Sequence, residues 1–146
     1  MKILLGCGDV FREGWVHHDR YRHGEHVDVA CDLEVRPWPW PDGVAEEIEA
    51  VGLVEHLRDT VAFMDECWRI LKPGGRLRVE VPDWRSDLAW GDPTHVRAFT
   101  VETWQYFDPD YQWHTLFGRL YTVRTWRLLY VRLGRGLIAV ELLKRP

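Results

Sequence analysis

Met1–Val10 read MKILLGCGDV. The apolar run Ile3–Leu5 predicts a short strand that stops at two glycines one residue apart, Gly6 and Gly8. A main chain bared of side chains so early implies that something must come close to it. In doubly wound α/β sheets the turn after the first strand is where nucleotides bind. Three ligand types compete for such a turn. A P-loop needs GxxxxGK[ST], which is absent, and a dinucleotide fold needs GxGxxG, where this chain has Phe11 at the third place. S-adenosylmethionine carries no pyrophosphate and has less need of a third glycine. Its ribose hydroxyls suit a carboxylate at the end of a second strand, and Asp19 follows Trp15-Val16-His17-His18 at that place.

Further β-like runs follow at Trp15–His18, Val27–Cys31 and Glu47–Val51. Val61, Met64, Cys67, Trp68 and Leu71 recur at helical spacing and predict a helix from Asp59 to Leu71, capped by Asp59 and stopped by Lys72-Pro73-Gly74-Gly75. Leu77, Val79 and Val81 alternate as a strand does. A second helix is expected near Thr100, and Tyr121–Leu143 reads as two strands joined at Gly134-Arg135-Gly136. The pattern is α/β: a Rossmann-like, mostly parallel sheet ending in an antiparallel hairpin, with reduced helices between the first strands. Those first connections, 9–14, 19–26 and 32–46, leave little room, since a helical crossover takes roughly ten or more residues. The strands also alternate, with Arg76, Arg78 and Glu80 opposite the apolar set and Asp28 and Asp32 opposite Val27, Val29 and Cys31. One sheet face is therefore expected to be thinly covered, with the Trp-rich loops or a second subunit as its shield.

The chain has 146 residues, which favours a single domain over 1–146, and is 46% hydrophobic and 29% charged, an ordinary globular balance. A net charge of −4 without a basic run gives nucleic acid no electrostatic footing. No apolar run approaches membrane length. Cys7, Cys31 and Cys67 are odd in number and lack CxxC spacing, which suggests free thiols in a reducing cytoplasm. His17, His18, His23 and His26 cluster in sequence, but with Asp19 or Cys31 they match no standard zinc spacing, so no metal ligand is assigned.

Taken in order, LLGCG, GWVHHD, VACDLEVRPWPWPDG, EEIEAVGLVEHL, ECWRILKPGGRLRVEVPD and WGDPTHVRAFTVETWQYFD give the chain a family likeness. It resembles the small class I S-adenosylmethionine-dependent methyltransferases of the methyltransferase type 11 kind, over most of residues 3 to 108. The resemblance implies that Gly6, Cys7 and Gly8 pass under the methionine part of the cofactor and that Asp19 holds the ribose. It places Asp32 and Leu33 at the adenine and Val51, Gly52 and Leu53 along the cofactor. Leu4, Val10 and Gly52 depart from the family pattern, which motivates a second reading as a non-catalytic binding or assembly module. A nicotinamide oxidoreductase ranks last because of Phe11.

Methyl transfer from a sulfonium mainly needs alignment, and a base only where the acceptor must lose a proton. Glu55 and His56, after the fourth strand, read either as an orienting carboxylate with a base or as support for the next helix. His95 follows Asp92-Pro93-Thr94, a tight turn that could aim it into the cleft or serve only to fold the loop. Glu55, His56 and His95 are the catalytic candidates. Arg97 suits an acidic acceptor or a surface ion pair. Trp38 and Trp40 belong to a stiff extended loop expected to shield the sheet or the adenine. No [DNS]PP[YFW] tetrad follows the fourth strand, which argues against DNA base methylation. The expected acceptor is a small molecule or glycan-like compound, with no nucleic acid or membrane partner. A homodimer is suggested by the half-polar sheet.

Overall fold

The computed structural model describes residues 1–146. Seven strands form one sheet: β1 Lys2–Leu5, β2 Trp15–Asp19, β3 Val29–Ala30, β4 Ala45–Val51, β5 Leu71–Pro82, β6 Trp126–Gly134 and β7 Leu137–Lys144, in the order β3-β2-β1-β4-β5-β7-β6. The first five run parallel, and β7 pairs antiparallel with both β5 and β6. The helix α1, Thr60–Ile70, connects β4 to β5. Its start is fixed by Asp59, whose side chain accepts from the Ala62 amide at 2.9 Å, the hydrogen bond that favours Asp at an N-cap. After Ile70 the backbone turns extended at Leu71. The Lys72–Gly75 stretch then loops out of register, so that pairing of β4 with β5 passes from Ala45–Leu71 to Glu47–Arg76. The closing hairpin turns at Arg135 and Gly136, both at positive φ (53° and 76°), as a two-residue turn between twisted strands requires.

The apolar face of the sheet carries Ile3, Leu5, Ile48, Leu77, Val79, Ile138 and Val140 against Phe63, Met64, Cys67 and Ile70 of α1. Trp38 and Trp40 of the β3–β4 connection join this same layer, with Trp38 5.8 Å from the Phe63 ring. The segment 99–126 completes it with Phe99, Trp104, Phe107 and Trp126. The two tryptophans thus shield the sheet, but on the face the helix already covers; the thin face is not theirs. On that second face the β1–β2 and β2–β3 connections form loops, with Leu4, Cys7 and Val27 as a small apolar cluster. The expected grouping of Val27 with Val29 and Cys31 fails here. The strand is only two residues long, and Val27 lies before it, on the opposite side.

Over β1, β4, β5 and β7 no helix covers the second face, and the side chains pair with one another. Lys2 and Arg78 both meet Glu47 at 3.1 Å, Arg76 and Arg78 meet Glu141 at 2.6 and 3.1 Å, and Arg12 meets Glu49 at 2.6 Å. The carboxylates lie beneath and the cations stay half exposed, their stems covering the sheet. The second expected helix is a 3₁₀ turn, Val101–Phe107, capped by Thr100 in a reciprocal box with Thr103. A π-helical turn at His114–Gly118 follows. Gly118 lies so close to Tyr106 that any Cβ there would run into the Tyr106 carbonyl. No helix is long and apolar enough to cross a membrane.

Candidate functional site

The strand order reverses between β1 and β4, and the cleft opens at the carboxyl ends of these strands, where ligands of open α/β sheets bind. Its volume is about 580 Å³, and Gly6, Asp19, Asp32, Leu33, Leu53 and His56 are among its walls. That is the size of a small-molecule site. Gly6 and Gly8 adopt φ of 63° and 51°, which L side chains rarely do. At Gly6 the close neighbour is Leu53, whose Cδ1 would stand 3.1 Å from an added Cβ; at Gly8 the space is open.

Asp19 sits against the glycine hinge. Its Oδ2 accepts from the Gly8 amide at 2.9 Å and its Oδ1 from the Arg20 amide at 2.7 Å. Burial pushes the Asp19 carboxyl up, but the hydrogen bonds from Gly8, Arg20 and His23 outweigh it and hold it below the usual range. The carboxylate is therefore ionised, with lone pairs left for a ligand. His18 locks the three strand ends together. Its Nδ1 accepts from the Gly6 amide at 3.4 Å, so its Nε2 donates to the Cys31 carbonyl at 3.0 Å. Burial lowers its pKa, and the ring is neutral. Asp32 is clasped by Arg20 at 2.8 Å, and the Arg58 amide donates to Glu34 at 2.8 Å, so the lip of the cleft is tied on both sides.

Of the residues assigned to the cofactor, Gly6, Asp19, Asp32, Leu33 and Leu53 line the cleft. Gly8 touches it through Asp19. Cys7 has its side chain in the small cluster with Leu4 and Val27, so only its main chain is available to the site. Val51 is exposed, and Gly52 donates its amide to Glu80 at 2.9 Å; neither lines the cleft. His18, Arg20, Glu34, Arg58 and Val96 line it and were not assigned from the sequence. His18 carried a signal, as the residue before the strand-end acid. The others take their place from loop packing.

At the far end, Glu55 and His56 lie in a 3₁₀ turn, Val54–His56, and neither caps α1. The Val96 amide donates to the Glu55 carbonyl at 2.9 Å, which pins the 92–97 loop over this turn. Asp92 does fold that loop, accepting from the Thr94 amide at 2.8 Å and its hydroxyl at 2.6 Å. The same turn brings the His95 ring to 4.6 Å from that of His56, at 76°. Glu55 is buried, with Oε1 4.0 Å from His95 Nε2 and Oε2 without a partner; burial raises its pKa. Arg97 makes no ion pair; it bonds Thr60 at 3.3 Å and stacks 4.6 Å from Phe99. It borders a second cleft, of about 450 Å³, with Tyr106, Trp113 and Tyr121. Among the clustered histidines, His17 is held by Asp28 and by the Arg12 amide, while His23 and His26 come within 4.8 Å of Cys7.

A parallel sheet whose strand order reverses between β1 and β4, which closes with an antiparallel β7 and opens a small-molecule-sized cleft at that switch point, has the Rossmann-like architecture of class I methyltransferases. Comparison with known proteins finds the same architecture. The family described as a methyltransferase domain matches residues 15–79. A probable S-adenosylmethionine-dependent methyltransferase of Mycolicibacterium smegmatis is 33% identical over 89 residues, 61% of this chain. The chain spans about a third of that relative's length, 34%. Among solved structures, a SAM-dependent methyltransferase from Aquifex aeolicus superposes with a TM-score of 0.63 at 16% identity, over 99% of this chain and 82% of that one. The Burkholderia thailandensis 1,6-didemethyltoxoflavin-N1-methyltransferase, solved with 1,6-didemethyltoxoflavin and S-adenosylhomocysteine, gives 0.61 at 14% identity, over 99% and 71%. The complex of the Haloferax volcanii Trm112 methyltransferase activator with a methyltransferase gives 0.70 at 11%, over 99% and 82%. The family model thus meets the sheet from β2 into β5 and the helix α1, and the solved S-adenosylmethionine-dependent methyltransferases share the fold of the whole chain.

Proposed function

We propose that the chain transfers a methyl group from S-adenosylmethionine to a small, polar acceptor that carries an anionic group. The observation that carries this reading is the meeting of Gly8 and Asp19 at 2.9 Å beside an open cleft of about 580 Å³. The residues present fit the cofactor. Asp19 is ionised and would accept from ribose hydroxyls, the Gly6–Gly8 main chain would lie under the methionine part, and Asp32 and Leu33 would meet the adenine. When bound, the cofactor supplies an electrophilic methyl on a sulfonium, so the protein's task is alignment. Glu55, His56 and His95 would face the acceptor's reacting group. Arg97, without a carboxylate partner and set beside Tyr106 and Trp113, would hold the anionic end.

Isothermal titration tests this reading. S-adenosylhomocysteine is expected to bind at micromolar strength, and Asp19→Ala to weaken it about tenfold, as loss of a hydrogen bond to a charged group implies. Binding weaker than millimolar for both the cofactor and its product would remove the enzyme reading. Binding without transfer of labelled methyl to any metabolite would favour a non-catalytic module, which Leu4 and Val10 in the hinge motivate. The helix-free sheet face is where a second copy would dock; light scattering at micromolar concentration reads this directly. Three free thiols support a cytoplasmic location.

A further inference from the structure

In the group Glu55, His56 and His95 both imidazole N–H donors are directed to partners outside the group. The Ala89 carbonyl can only accept, so His95 Nδ1, 3.2 Å away, carries a hydrogen. The Thr94 hydroxyl gives its proton to Asp92 Oδ1 at 2.6 Å, so it accepts from His56 Nδ1 at 2.9 Å. Each ring, as neutral imidazole, then has its lone pair on Nε2. Glu55 Oε2 is buried without a hydrogen-bond partner, which is costly for a carboxylate unless a cation serves it. A ligating atom from each of the three residues lies within 4.8 Å of the other two. The Val96 amide is spent on the Glu55 carbonyl rather than its side chain.

We propose that Glu55, His56 and His95 bind a divalent transition-metal ion of the zinc class, with a coordination position left toward the cleft. Two imidazoles and one carboxylate are the protein ligand set of open zinc sites. The outer contacts also match: Ala89 fixes one tautomer, and Thr94 backed by Asp92 fixes the other, as second-layer partners of metal-bound histidines do. His56 borders the cleft, so the ion sits where an acceptor oxygen or nitrogen would reach it. That role for the ion rests on the methyl-transfer reading; the binding of the ion does not. The site is invisible as a spacing motif, because the third ligand comes from a loop some forty residues away in sequence.

The test is titration of the chelator-stripped chain with zinc sulfate, and with cobalt followed by visible absorption. One ion per chain is expected at micromolar strength or better. His56→Gln and His95→Gln should each weaken it by about 10- to 100-fold, and Thr94→Val, which keeps all three ligands, by about tenfold. His23→Gln and His26→Gln should leave it unchanged. Circular dichroism and S-adenosylhomocysteine binding report whether each variant is folded. Zinc affinity weaker than about millimolar, or binding lost with His23 and His26 instead, overturns the proposal. Failure of zinc to bind while the S-adenosylhomocysteine titration succeeds sinks the ion alone. Zinc bound without cofactor affinity leaves the ion and removes the methyl-transfer reading.

Discussion

Asp19 joins the glycine hinge to the wall of the cleft in one side chain. Its carboxylate closes the glycine hinge and faces the cleft, and its folded-state pKa lies below the unfolded value of about 3.9. Stabilisation from this group is therefore complete above that unfolded value and is lost as pH falls through the folded one. Urea unfolding between pH 6 and 2 should show a constant gap between wild type and Asp19→Asn down to about pH 4, closing below it. The hinge glycines should separate in the same assay. Gly8→Ala forces an L side chain to φ 51° in open space and should cost about 1 kcal/mol. Gly6→Ala adds pressure on Leu53 at 3.1 Å and should cost more, about 2 kcal/mol. The sequence shows that these positions need a bare backbone. It does not show that the close neighbour of Gly6 is the chain's own Leu53.

At the scale of elements, α1 was legible because helical spacing, a capping Asp and a Pro-Gly-Gly stop all agree. Asp59→Ala should lower stability by about 1 kcal/mol through loss of the Ala62 amide contact. The region after β5 was less legible. Its helix is a 3₁₀ turn followed by a π-helical turn, because the segment must fold back over α1 within a short span and bring Trp104 and Phe107 into the core. Gly118 permits that close crossing. Gly118→Ala should destabilise by about 3 kcal/mol or more, since backbone rather than a flexible side chain stands in the way. Thermal melting with near-ultraviolet dichroism reads both the loss and the displaced aromatic rings.

For the whole molecule, the two faces of the sheet are held by different physics. The covered face is an apolar layer of strands, α1 and two tryptophans. The other is a lattice of buried carboxylates under half-exposed cations. Glu141 lies under Arg76 and Arg78, and Glu141→Gln should cost about 1 kcal/mol at low salt, with a smaller loss in 1 M salt as the exposed arginines are screened. A dimer through this face should likewise weaken with salt, which light scattering across a salt series would detect.

The amino-acid sequence alone determined the order of the strands, the helix α1 and the closing hairpin, since hydrophobic period, caps and turn residues act within a few positions of one another. It also marked the hinge at Gly6–Gly8 and the acid at Asp19, because strand ends announce themselves locally. Tertiary structure decided what those elements cover and what meets at the cleft. The Trp38–Trp40 loop could shield either face, and packing against Phe63 chose one. Glu55 and His56 lie far along the chain from His95, and a main-chain hydrogen bond from Val96 brings them together. Contacts of that range depend on how the chain closes its loops over the sheet, and no local pattern records it.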